Sequence, residues 1–200
     1  MNTTLPELRS MIMLAGHPFS HGELRAMEHQ GIIREVLPGT FVGAAQPDTA
    51  AIRAGAAAVI AGPRMGPHGI IGRRSAAWVY GCWPMPTELE VLVARYHRPN
   101  AQVPLLKIKL SESAVDDTEL CMLGGVAVTS PLRTATDVAF NSPPDAARSI
   151  LAAMDGIPRL GCRLETVRDA VALFHRRPGR IRALALVDKL IDATPERTAA

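Results

Sequence analysis

VAVTSPLRTATDVAF, residues 126–140, crowds a serine, an arginine, two threonines and an aspartate into eight positions. Such a set is either a catalytic constellation or the joint where a strand becomes a helix. The spacing fits the joint. Val126 and Val128 belong to a strand. Ser130 stands where an N-cap belongs, and Pro131 stands at the first helical position, where a missing N–H costs nothing. Leu132, Ala135 and Ala139 can face inward, and Arg133 and Asp137, four residues apart, can pair on one side of the helix. A nucleophilic serine needs a base within reach. No histidine lies near Ser130 in sequence, and each polar residue already has a structural role.

Outward from this joint, elements follow on both sides. Gly124-Gly125 separates two short strands and marks a two-residue hairpin. LEVLVARY (89–96) and VPLLKIKL (103–110) read as strands. In the second, Leu106, Ile108 and Leu110 alternate with Lys107 and Lys109, which leaves one face wet. Ile70-Ile71 begins a short strand, and RRSAAWVYG (73–81) is a helix closed by Gly81, with Trp78 expected in the core and Ser75 as a cap. Arg73 and Arg74 at its start oppose the helix dipole, which predicts a compensating partner. Gln46-Pro47-Asp48 reads as a linker with an N-cap for the alanine-rich helix AAIRAGAAAVIA (50–61), which Gly62-Pro63 stops. After the Asn141–Pro144 hinge the chain turns helical. DAARSILAAMDG ends at Gly156. LETVRDAVALFHRR (164–177) places Leu164, Val167, Val171 and Phe174 on one face, and IRALALVDKLID (181–192) does the same with Ile181, Leu184 and Ile191.

The first 46 residues differ in character. PELRSMIMLA (6–15) reads as a helix broken by Gly16-His17-Pro18. Ser20 and Glu23 form a capping box, and Phe19 and Leu24 fit a hydrophobic staple. Gly31 ends this second helix as a left-handed cap. IIREVLPGTFVG is then a hairpin turning at Pro38-Gly39. Helix, helix, hairpin is the outline of a winged helix-turn-helix. It is equally the outline of a small α/β cap with no nucleic-acid partner.

Composition bounds the rest. Of 200 residues, 48% are hydrophobic but only 4% aromatic, so the core is built from Ala, Val, Leu and Ile. Cys82, Cys121 and Cys162 are scattered and form no CxxC pair, which predicts reduced thiols, no zinc site and a cytoplasmic protein. No signal-peptide pattern and no apolar run of membrane-spanning length is read. A glycine-rich phosphate loop, HExxH and GxSxG are all missing, so neither a cofactor nor an enzymatic activity is expected. Asp116, Asp117 and Glu119 read as a solvated loop. The formal charge is +3, and the surplus lies beyond residue 142, with ten basic against seven acidic side chains.

Three stretches, taken together, resemble antitoxins of the abortive-infection AbiE type. VTSPLRTATDVA is similar to that family's strand-to-helix signature, IIGRRSAAWVYG (70–81) to its strand and Ser-Ala-Ala helix, and FSHGELRAMEHQGIIREVLPGTFVG to its recognition helix and wing. They occur in the family's order, and with the helices beyond residue 143 the resemblance covers nearly the whole chain. It implies an α+β protein: a winged helix over 1–46 and an antitoxin domain over 47–200, mixed α/β to 142 and helical from 143. It also implies neutralisation of a nucleotidyltransferase-like toxin encoded beside it, and binding to the promoter of its own operon. Some longer relatives carry a nuclease-like domain after a short segment; Ala193-Thr194-Pro195-Glu196 reaches only the start of such a segment, four residues short of residue 200, so no nuclease activity is expected here.

Two sets of residues are candidates for these contacts. His21, Arg25 and His29 share one face of the second helix, with Arg34 on the wing, and are suited to bases and phosphates. Two arginines against three glutamates leave residues 19–43 at −1, where the family carries several arginines. That departure fits a scaffold or a homodimer on DNA as well as an independent binder. In HRRPGRIR (175–182), Arg176, Arg177, Arg180 and Arg182 surround a helix-to-helix turn. They read either as a solvated turn or as a surface for an anionic partner, an acidic toxin face or nucleic acid backbone. Two other functions stay open: a stand-alone winged-helix regulator whose C-terminal domain senses a ligand or dimerises, and an RNA-processing enzyme.

Overall fold

The structure, a computed structural model, describes residues 4–16, 18–66, 68–96 and 106–194. The expected break at His17, the start of the strand over 103–110, and Pro195-Glu196 lie outside them. The fold is α+β, with two sheets among the described residues.

The chain opens with α1 (Leu5–Met11), β1 (Met13–Leu14), α2 (His21–His29), β2 (Ile33–Leu37) and β3 (Thr40–Gly43). The first helix is shorter than the sequence predicts, because Met13 and Leu14 pair antiparallel with Phe41 and Thr40 instead. The three strands lie in the order β1-β3-β2. The capping box is present: Ser20 Oγ accepts the Glu23 N–H at 3.2 Å, and Glu23 Oε2 accepts the Ser20 N–H at 2.7 Å. Those bonds to Ser20 hold the Glu23 carboxyl below the usual carboxylate range. Leu24, Ile33 and Phe41 form a small core, with Phe19 packed against it as a staple should be.

Next come α3 (Ala50–Ala61), β4 (Ile70–Ile71), α4 (Arg73–Val79), β5 (Glu88–Val93), β6 (Lys107–Glu112), β7 (Leu120–Leu123) and β8 (Val126–Thr129). The second sheet runs β6-β5-β4-β8-β7 and is mixed: β5/β6 and β4/β8 are parallel, whereas β4/β5 and β7/β8 are antiparallel. Thr49, not Asp48, caps α3, its hydroxyl accepting the Ile52 N–H, while Asp48 pairs with Arg53 at 2.9 Å. Gly124 and Gly125 have φ of +58° and +77°, the conformation a tight two-residue hairpin needs.

Among the described residues four α-helices follow: α5 (Pro131–Asn141), α6 (Pro144–Asp155), α7 (Leu164–Ala172) and α8 (Arg180–Ala193). The last two faces were expected to bury Phe174 and Ile181. Phe174 falls beyond the end of α7 and is half-buried, and Ile181 is 83% exposed. The inward positions of α8 are Ala183 and Val187.

The boundary expected at residue 46 falls in the turn before α3, yet the apolar side of the first segment is not closed on itself. Leu8, Ile12, Val36, Leu37 and Val42 join the main core. Their seat is made of small residues. A Cβ at Gly55 of α3 would lie 3.1 Å from Leu8 Cδ1, and one at Gly124 only 2.3 Å from the same atom. Helix α1 is thus wedged between α3 and the β7–β8 turn.

Candidate functional site

The strand-to-helix joint at residues 126–140 is largely buried. Ser130 caps α5 by accepting the Arg133 N–H, and residues 133–140 are all buried. Thr134 Oγ1 bonds the backbone carbonyl of Thr129. Arg133 makes an enclosed set of contacts. Its Nε donates to Asp137 Oδ2 at 2.8 Å, one terminal nitrogen donates to Glu119, and the other reaches Ser113 Oγ and the Ala114 carbonyl. Burial opposes the charge, but Asp137 and Glu119 hold the guanidinium above its ordinary pKa. The arginine therefore ties helix α5 to the loop between β6 and β7, with its donors aimed at protein.

A second buried carboxylate organises the other end of the sheet. Glu90 on β5 accepts the Arg74 backbone N–H at 3.1 Å and its Nε at 3.2 Å, with Arg73 and Lys109 about its other oxygen. This is the partner that the two arginines at the start of α4 demanded. Ser75 does not cap the helix; it is buried and accepts the Glu90 N–H at 2.8 Å. Arg73 is held at φ +53°, and among the described residues it alone of the non-glycines has positive φ.

On α2, His21 and His29 are exposed. Arg25 projects with them but is occupied. It bonds Glu28 at 2.7 Å and Glu35 at 3.1 Å, and its guanidinium lies 5.5 Å from the Phe41 ring centre. The Arg25 bond, the main cause, holds Glu28 below the usual carboxylate range. Arg34 is half-buried on β2 and reaches the Gln46 carbonyl at 3.4 Å. The two histidines are thus the outward donors on this face.

The arginine turn divides in a similar way. Arg177 is folded inward: its guanidinium stacks 4.1 Å from the Phe140 ring centre and 5.3 Å from that of Phe174, and donates to Asp137 at 3.1 Å. Arg182 donates to the Phe140 carbonyl and Arg180 to the Ala172 carbonyl at 3.3 Å, where cations suit a helix C-terminus. Arg176 is exposed. Two further residues were not predicted here: Leu173 is 74% exposed and Ile181 83%, one on each side of the turn.

A cleft of about 610 Å³ opens between α1 and the sheet, lined by Leu5 and Arg9 on one side and by His68, Asp116, Met122 and Val126 on the other. Among the described residues no group of three or more His, Cys, Asp or Glu side chains is arranged to hold a metal ion, and no helix is long and apolar enough to cross a membrane. No family model matches the chain, and no curated protein matches it.

Proposed function

We propose that the chain is an antitoxin of the AbiE type, a binding protein that neutralises a nucleotidyltransferase-like toxin encoded beside it and represses its own operon. The observation that carries this reading is the arrangement of residues 5–43: helix, strand, helix and hairpin, with sheet order β1-β3-β2 and an exposed α2 face bearing His21 and His29. A winged helix presents one helix to the major groove in this way, with the hairpin beside it. The AbiE-like stretches 70–81 and 126–140 fold as strand-to-helix joints whose polar side chains cap and brace, which suits a scaffold for docking.

Because Arg25 is ion-paired to two glutamates, few phosphate contacts are available, and promoter affinity should fall only shallowly with salt. A gel shift on the DNA upstream of the gene tests this half. Replacing His21 and His29 together by alanine should weaken binding about 10-fold or more; binding equal to wild type removes α2 as the reader. For the other half, the adjacent gene is expressed alone and with this protein. Toxicity relieved by co-expression is the expected result, and a harmless neighbour overturns the antitoxin reading.

The cleft between α1 and the sheet favours a second reading, a ligand-sensing regulator. Promoter binding without any toxin relief is the outcome that would select it.

A further inference from the structure

We infer that the α7–α8 turn is a docking knob for an acidic protein surface with an apolar recess, and that Leu173 and Ile181, with Arg176 beside them, make the contact. The inference rests on the antitoxin reading for the identity of the partner, but its residues come from the structure.

Leu173 and Ile181 are the two most exposed of the large apolar side chains that stand out of the described surface. They do not lie scattered. Both flank one turn of the chain: Leu173 rims a hollow of about 270 Å³ whose lining includes Leu132, Phe174, Arg133 and its partner Glu119, and Ile181 lines a separate hollow with Arg176, Arg180 and Arg182. Exposed aliphatic side chains at the two ends of an arginine-bearing turn have the composition of an interface core and rim. Scaffolding beneath the turn is firm. Phe140 and Phe174 meet edge to face at 5.7 Å, Arg177 stacks on both and is tied to Asp137, and Arg182 is fastened to the Phe140 carbonyl. A knob held in this way loses little freedom on binding.

The charge selects the occupant. Residues 173–187 contain four arginines and one histidine and no acidic side chain. Arg177 is answered by Asp137, so Arg176, Arg180 and Arg182 give the turn its excess positive charge. An acidic partner face is the complement. A second copy is disfavoured, because a twofold contact would set the same cationic turn against itself. A nucleic acid strand is disfavoured too. Arg177 is enclosed, Arg180 and Arg182 each give a donor to a backbone carbonyl, and the most prominent side chains are aliphatic rather than the aromatic platforms on which bases stack.

The test uses the full-length protein and the purified product of the adjacent gene. Leu173→Asp and Ile181→Asp are made singly, with Arg176→Glu as a third variant, and each is first checked for an unchanged melting temperature, as exposed positions should give. Titration calorimetry should show the wild type binding, a loss of about 30-fold or more for Leu173→Asp or Ile181→Asp, and a smaller, salt-dependent loss for Arg176→Glu. Wild-type affinity in both apolar variants overturns the surface. Toxicity relief in cells without any binding in the calorimeter also overturns it, while leaving the antitoxin reading in place; failure of both relief and binding ends the two together. Weakening of a 20-nucleotide RNA probe by Leu173→Asp with the protein partner unaffected, or conversion of a wild-type dimer to monomer by the same change, overturns it in favour of the other occupants.

Discussion

Asp137 is 2% exposed and holds two guanidinium groups, Arg133 on its own helix and Arg177 from the α7–α8 turn. Each partner has a further support: Glu119 for Arg133, and the two phenylalanine rings for Arg177. Removing the shared carboxylate leaves Arg133 buried with one remaining, partly exposed counter-ion. A buried charge left only partly compensated costs more than the pair itself contributes, so Asp137→Ala should lower stability by about 3 kcal/mol. Arg177→Ala should cost less, because Asp137 keeps Arg133. Urea denaturation measures both, and a loss under about 1 kcal/mol for Asp137→Ala would show that water or rearrangement replaces the carboxylate. The sequence shows half of this cluster. Four-residue spacing pairs Arg133 with Asp137, since helix geometry is local. It says nothing of Arg177, which arrives from forty positions away and looks, in one dimension, like one more cation in a basic run.

Elements are joined here by glycines that serve two purposes at once. Gly124 and Gly125 turn the β7–β8 hairpin, and they also form the floor on which α1 rests. A Cβ at Gly124 would meet Leu8 Cδ1 at 2.3 Å, and one at Gly125 would lie 3.1 Å from the Leu5 backbone nitrogen. Gly124→Ala therefore combines left-handed strain with overpacking and should cost roughly 1–3 kcal/mol. Hydrogen exchange locates the damage. The Leu8 amide, bonded to the Thr4 carbonyl, should lose protection before the amides of β8 do; unchanged protection in α1 would show that Leu8 has another seat. The hairpin is legible in the sequence because two adjacent positive-φ positions are a local demand. The seat for α1 is not, because it depends on a helix from the far end of the chain. Ile181 shows the limit of periodicity in the same way. It shares a helical face with Leu184 and Ile191, which pack partly buried against the core, but in the first turn of α8 it is left exposed. Ser75, read as a cap, is the third residue of α4 behind the Gly72 N-cap, and its hydroxyl accepts from the neighbouring strand.

At the scale of the whole molecule, buried thiols tie stability to pH. Burial, the largest cause, lifts the Cys162 thiol from its ordinary 9.0 to about 12, and it raises Cys82 as well. The folded chain keeps these protons where the unfolded chain releases them. Their contribution is therefore complete below pH 9 and is lost as pH rises from there toward 12. The denaturant midpoint of the wild type should fall across that window, and Cys162→Ala should fall less steeply; parallel curves would assign the alkaline loss to other groups.

Helix α1 also governs how the two proposed contact surfaces relate to one another. It belongs to the amino-terminal segment by sequence, yet it is keyed into the sheet through Leu5 and Leu8, so the segment bearing α2 is not a hinged appendage. An operator read by α2 and a macromolecule gripped at Leu173 and Ile181 would meet the protein at a constant bearing. Neither could signal to the other by swivelling, and antagonism between them would arise from crowding and electric field alone.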